Sequence, residues 1–190
     1  MKSTKTNNTL LIGLVGPAGV GKTTIAKVFE AALGFKIMSF AEPLKKSLSV
    51  LTGLPPKYFT NIELKEKQIP GLDDSPRTLM QKFGTEFVRD TIHKDFWVWR
   101  MRNNINKYPN KNIIIDDIRF HNEAQLVRDM GGVVIHLNRE YDSPTKHTNH
   151  ISEKPVSRMD DDFIVHGTHI RDTYNKCIQC LKKFYKVYDI

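Results

Sequence analysis

Leu10-Leu11-Ile12-Gly13-Leu14-Val15, followed at once by Gly16-Pro17-Ala18-Gly19-Val20-Gly21-Lys22-Thr23, is the stretch that decides the fold. Its first part is an apolar run of strand length and reads as a buried strand. Its second part fits G-x-x-x-x-G-K-[ST]. Glycines let the backbone wrap closely around phosphate. Successive N–H groups then point inward, helped by the N-terminus of the next helix. That helix is predicted from about Lys22, because Ile25, Val28, Phe29, Ala32 and Leu33 follow helical spacing and Gly34 is a natural stop. Strand, loop and helix in this order predict a nucleoside triphosphate site. Its loop is Gly16, Ala18, Gly19, Val20 and Gly21, with Thr24 just beyond. Lys22 is expected on the β- and γ-phosphates and the Thr23 hydroxyl on Mg²⁺. ATP and Mg²⁺ are the expected cofactors.

Further strands are predicted at Phe35 to Phe40, Asn112 to Asp117, Val133 to Leu137 and Phe163 to Val165. Helices are predicted between them. One has Pro43 in its first turn and closes at Gly53. One starts at Ser75-Pro76, an N-cap with proline at the first position, and continues through Leu79, Phe83 and Phe87. Others cover Phe96 to Asn106, about Asn122 to Met130, and a closing helix through Ile170, Tyr174, Cys177, Ile178 and Leu181. Residues 54 to 75, rich in proline and glycine, read as irregular with one short helix. The alternation implies an α/β fold with a parallel sheet covered on both faces.

The chain has 190 residues, enough for one domain with a real core. Met1 to Thr9 is polar and reads as a short tail, with no apolar signal region. No run approaches a membrane span, so a cytoplasmic protein is expected. The net charge of +8 attracts anions, including nucleotides, nucleic acid and phosphorylated metabolites. It is spread along the chain, which favours a phosphate-lined cleft over a basic tail. Cys177 and Cys180 form C-x-x-C, but nothing nearby completes a zinc site, so both read as residues of the last helix. His147 and His150 lack a third metal ligand and read as part of a lid. Residues 138 to 161 are polar and long for a loop, which is common for a lid.

Asp116 and Asp117 end the third predicted strand. A carboxylate there commonly holds the metal in such enzymes. Neighbours on a strand point to opposite faces, so one aspartate faces the phosphates and the other does not.

Ser39-Phe40-Ala41-Glu42-Pro43-Leu44-Lys45 resembles the S-F-A-x-P-L-K segment of bacteriophage deoxynucleoside monophosphate kinases. Ile69-Pro70-Gly71, Ser75-Pro76-Arg77, Gly84-Thr85-Glu86 and Arg89-Asp90 resemble the same family in order. So do Phe96-Trp97-Val98, Asp117-Ile118-Arg119-Phe120, Asn122-Glu123-Ala124 and His150-Ile151-Ser152-Glu153. The resemblance runs from about Leu10 to Gly167. It implies a P-loop kinase with a five-stranded parallel sheet, an acceptor-binding region at about 40–106 and a lid at about 138–161. It also implies phosphorylation of a deoxynucleoside monophosphate by ATP, with no stable nucleic-acid complex and no membrane, and with a homodimer allowed. Family pattern favours Asp117 over Asp116 as the metal-side carboxylate, beside Thr23.

In-line transfer brings two anions together, and arginine forks answer their repulsion. Arg77, Arg89 and Arg119 are candidates on the acceptor side, and Arg139 at the root of the lid. Ser39, Phe40, Lys45 and Trp97 complete the expected acceptor site, with Trp99 a second stacking candidate. Catalysis is assigned to Lys22, Asp117, Arg119 and Arg139. No general base is required, because the nucleophile is already an anionic phosphate oxygen. A phosphomevalonate kinase and a nucleic-acid-stimulated ATPase are the competing readings.

Overall fold

The computed structural model describes residues 9–139 and 150–186, apart from the side chains of Arg139 and Glu153. Five strands, β1 (Leu11–Val15), β2 (Lys36–Met38), β3 (Ile113–Ile118), β4 (Val133–Arg139) and β5 (Phe163–Gly167), form one parallel sheet in the order β2-β3-β1-β4-β5. The chain leaves β1 towards β2 on one side, while β4 and β5 are added on the other. The order therefore reverses at β1, and ligands of such sheets bind beyond the carboxyl ends of the strands at that point. The phosphate loop lies there.

Two cores follow from the period of two along each strand. Ile12, Leu14, Ile114, Ile135 and Leu137 pack on one face with Ile25 and Phe29 of helix α1 (Lys22–Leu33) and Cys177 and Leu181 of helix α7 (Ile170–Tyr185). Leu11, Ile113, Ile115 and Val134 pack on the opposite face with residues of two further helices, Met101 and Ile105 of Phe96–Ile105 and Leu126 and Val127 of His121–Asp129. Each such side chain contributes roughly 1.5–3 kcal/mol by leaving water. Cys177 is part of this packing. Its thiol is pushed up to about 12 by burial, as suits a core residue.

Between β2 and β3 the chain forms α2 (Ala41–Thr52), α3 (Lys57–Thr60), a 3₁₀ turn (Leu64–Glu66), α4 (Pro76–Gln81), a π-helix (Lys82–Ile92) and α5 (Phe96–Ile105); α6 (His121–Asp129) follows β3. Leu44, Leu48 and Phe59 form a third small core, joined by Leu79, Met80, Phe83 and Trp97. Ser75 caps α4 as expected, its hydroxyl accepting from Thr78 N at 3.2 Å.

Two expectations are corrected. The second strand ends at Met38 rather than Phe40, because the backbone N–H groups of Phe40 and Ala41 turn to Asp117 and start α2. The helix through Leu79, Phe83 and Phe87 is α-helical only to Gln81. Beyond that it widens to π. At Gly84 a Cβ would lie 2.7 Å from Leu44 Cδ2, and the Trp97 indole N–H donates to Gly84 O at 2.8 Å. Close approach and a carbonyl bound from outside accompany the widened turn.

Candidate active site

The loop from Gly16 to Thr23 starts where β1 stops. Gly16 has φ +151°, and a Cβ there would meet the Leu137 carbonyl oxygen at 2.6 Å, so only glycine lets the loop leave the sheet this way. Lys22 opens α1 and is buried. Its Nζ donates to Gly16 O at 2.6 Å and Pro17 O at 2.9 Å. The ammonium thus lies against the carbonyl groups at the start of the loop.

The strand-end aspartates divide as their parity requires, but in the opposite sense to the expected one. Asp116 shares the face of Ile114 and lies under α1, where the Thr23 hydroxyl donates to Asp116 Oδ2 at 2.6 Å. Asp117 is on the other face. Ser39 Oγ donates to it at 2.6 Å, Phe40 N at 2.7 Å and Ala41 N at 2.9 Å, so its charge anchors the N-terminus of α2. Of the two, it is Asp116 and not Asp117 that stands beside Thr23. Ser39, expected on the acceptor side, donates its hydroxyl to Asp117.

Mg²⁺ needs hard oxygen donors at a site that leaves room for phosphate and water. Asp116 and Thr23 supply such donors. Asp116 Oδ1 is buried with no hydrogen-bond partner among the described residues, an orphaned acceptor that suits a cation. Burial, and then the neighbouring Asp117 charge, raise the Asp116 carboxyl above its ordinary range, against the Thr23 bond that lowers it. A cation there would reverse that shift.

Beyond Asp117 opens a cavity of about 220 Å³ between α2, α4, the π-helix and the end of β3. Phe40, Lys45, Arg77, Trp97 and Arg119, all expected on the acceptor side, line it. Arg77 is oriented by Glu66, whose Oε1 accepts from Nε at 2.6 Å. Lys65, absent from the expected set, adds a fourth cation. Burial, and then the nearby Arg77, push its ammonium below the ordinary lysine value. Nothing in the irregular segment around Lys65 distinguishes it from the neighbouring Lys67.

Glu123 also borders the cavity and is buried. Its Oε2 accepts from Arg119 N at 2.8 Å and Phe120 N at 3.1 Å, closing the first turn of α6 and fixing the backbone from which Arg119 projects. Burial pushes its carboxyl up to about 8 in spite of those two donors.

Arg89 is not on the cavity wall. Its Nη1 donates to Asn122 Oδ1 at 3.1 Å and its guanidinium lies 3.9 Å from the Phe120 ring centre, so it braces α6 from behind. Trp99 is turned outward and exposed. Arg139 ends β4, but its side chain and residues 140–149, including His147, lie outside the described residues. Of the expected lid, residues 150–161 are described. Ser152 from this flank reaches the cavity, and His150 Nδ1 bonds the Ser152 hydroxyl at 2.7 Å.

The Lys22 loop and a cavity lined by Lys45, Lys65, Arg77 and Arg119 thus lie near the end of β3, and known proteins resemble this chain in sequence. Residues 59–177 match the family model described as deoxynucleotide monophosphate kinase. A protein of Acanthamoeba polyphaga mimivirus, provisionally named a deoxynucleotide monophosphate kinase, is 32% identical over 90% of this chain and 96% of its own. The deoxynucleoside-5'-monophosphate kinase of Escherichia phage T5 is 24% identical over 77% of this chain and 85% of its own. Among solved structures, a gluconokinase from Sinorhizobium meliloti is similar with a TM-score of 0.50, 12% identity and 95% of both chains covered, a likeness of fold alone. With a family model covering well over half its length and a relative matched almost end to end, the chain belongs to the deoxynucleotide monophosphate kinase family.

Proposed function

We propose that this protein transfers the γ-phosphoryl group of ATP to the phosphate of a deoxynucleoside monophosphate, giving ADP and a deoxynucleoside diphosphate. The observation that carries the reading is the pairing of the Lys22 loop with the Lys45, Lys65, Arg77 and Arg119 cavity on either side of Asp116 and Asp117. Family membership supports the acceptor class.

ATP phosphates would lie in the loop, with Lys22 against the β- and γ-oxygens. The Thr23 hydroxyl and the Asp116 carboxylate would hold Mg²⁺, which when bound neutralises charge on the phosphate oxygens. An oxygen of the acceptor phosphate attacks the γ-phosphorus in line, and the bond to the bridging oxygen of ADP breaks. Two unit charges at 4 Å repel by about 4 kcal/mol at an effective dielectric near 20, and the four cations of the cavity offset that repulsion. Arg119 is the best placed, because Glu123 fixes its backbone and β3 delivers it beside Asp117. Catalysis is positioning plus electrostatics.

An acceptor screen tests this reading. With ATP and Mg²⁺, ADP release is expected with deoxynucleoside monophosphates, and several bases should serve. Turnover on phosphomevalonate alone, or turnover that needs DNA and ignores monophosphates, would replace it.

A further inference from the structure

The cavity contains a polar group that phosphate binding does not use. Thr85 is 6% exposed, sits in the π-helix and lines the cavity. Threonines in helices commonly donate to a carbonyl in the preceding turn. Others in this chain do so. Thr52 donates to Leu48 O at 2.6 Å, Thr91 to Glu86 O at 3.0 Å and Thr173 to His169 O at 2.9 Å. The Thr85 hydroxyl makes no hydrogen bond among the described residues. It is also not sealed into the protein, since among the described residues Asp116 Oδ1 alone is a buried side-chain polar atom without a partner. A hydroxyl that is nearly enclosed, unspent and open to a cavity is available to what fills that cavity.

Its surroundings indicate which part of a ligand it meets. The preceding residue, Gly84, lies against Leu44 and accepts from the Trp97 indole. Leu44, Phe59, Met80 and Trp97 give this part of the wall an apolar character, with Gln81 one turn before Thr85 and also on the cavity. The cations belong to the phosphate. A flat ring lying along Trp97 would present its polar edge to the wall that carries Thr85 and Gln81. A hydroxyl donates or accepts as required.

We propose that Thr85 reads the base edge of the acceptor and sets the order of preference among bases. The inference rests on the deoxynucleoside monophosphate reading above. Because the hydroxyl can turn, it ranks bases without excluding any outright.

The test is kcat/KM for the four common deoxynucleoside monophosphates with wild type, Thr85→Val, Thr85→Ser and Thr85→Ala. Valine keeps the shape and removes the hydroxyl, serine keeps the hydroxyl, and alanine removes the hydroxyl should valine fail to fold. The ratio between best and worst base should change by about three- to tenfold in Thr85→Val and Thr85→Ala, the range of one hydrogen bond, and return towards wild type in Thr85→Ser. The KM for ATP should stay constant. Variants that lose all four bases by one common factor, or that keep the wild-type profile, would overturn the role of Thr85 while leaving the kinase reading intact. A wild type inert toward all four would overturn both.

Discussion

At the scale of single residues, the account turns on the division of labour between Asp116 and Asp117. Asp116→Asn should lower Mg²⁺-dependent turnover by about 10- to 100-fold, the usual cost of losing a group that orients a metal site. Asp117→Ala should instead cost about 0.5–2 kcal/mol of stability, because it releases the amide groups of Phe40 and Ala41 at the start of α2. The check is turnover titrated with Mg²⁺ beside thermal unfolding. A larger metal defect at position 117 would mean that the Thr23 contact is not the metal side. That the two aspartates face opposite ways was legible in the sequence, whereas the shift of register that brings Ile118 into the core of Ile113 and Ile115 was not. Which aspartate faced α1 was not, since alternation separates two neighbours without saying which is up. The structure answers it through Ile114, which packs under α1 on the face that Asp116 shares. Arg119→Lys should cost roughly 1.5–3 kcal/mol in kcat/KM for every acceptor alike, because a forked contact to the common phosphate is lost. A defect confined to one base would remove Arg119 from the phosphate.

At the scale of elements, the π-helix is the part the sequence concealed. Leu79, Phe83 and Phe87 recur every four residues, a spacing that α- and π-helices both accommodate. The widening coincides with tertiary contacts that no local pattern encodes, Gly84 against Leu44 and under the Trp97 indole. Lys65, Gln81 and Thr85 were missed for the same reason, since they reach the cavity only through the packing of α2, α3, α4 and the π-helix. The phosphate loop was legible because its chemistry is local, with every donor supplied by consecutive residues. Gly84→Ala should push Leu44, whose Cδ2 would lie 2.7 Å from the added Cβ, into the cavity it lines, at a cost of at most about 1–3 kcal/mol by overpacking. The displaced wall should raise the KM for the acceptor more than that for ATP. Unchanged melting and unchanged acceptor KM would show that the contact is not limiting.

At the scale of the whole molecule, the sheet order puts the loop and the acceptor cavity at the carboxyl ends of adjacent strands, β1 and β3. Global stability should carry the signature of buried Glu123. Its folded value, about 8, lies above the 4.5 of a free glutamate. The folded state therefore keeps a proton that the unfolded state has already lost, and stability from this group is full below pH 4.5 and falls as pH rises towards 8. Denaturant unfolding across that window should show the decline, and Glu123→Gln should flatten it. A profile for Glu123→Gln with the same slope as wild type would assign the decline to other groups.

The central claim is that a phosphoryl group crosses from the Lys22 loop to the acceptor held by Arg119, and tracing the γ-phosphate of ATP tests it most directly. With labelled γ-phosphate, Mg²⁺ and a deoxynucleoside monophosphate, the label should be recovered in the deoxynucleoside diphosphate in step with ADP. Label that remains in ATP, or that is released as inorganic phosphate regardless of the acceptor, would contradict it.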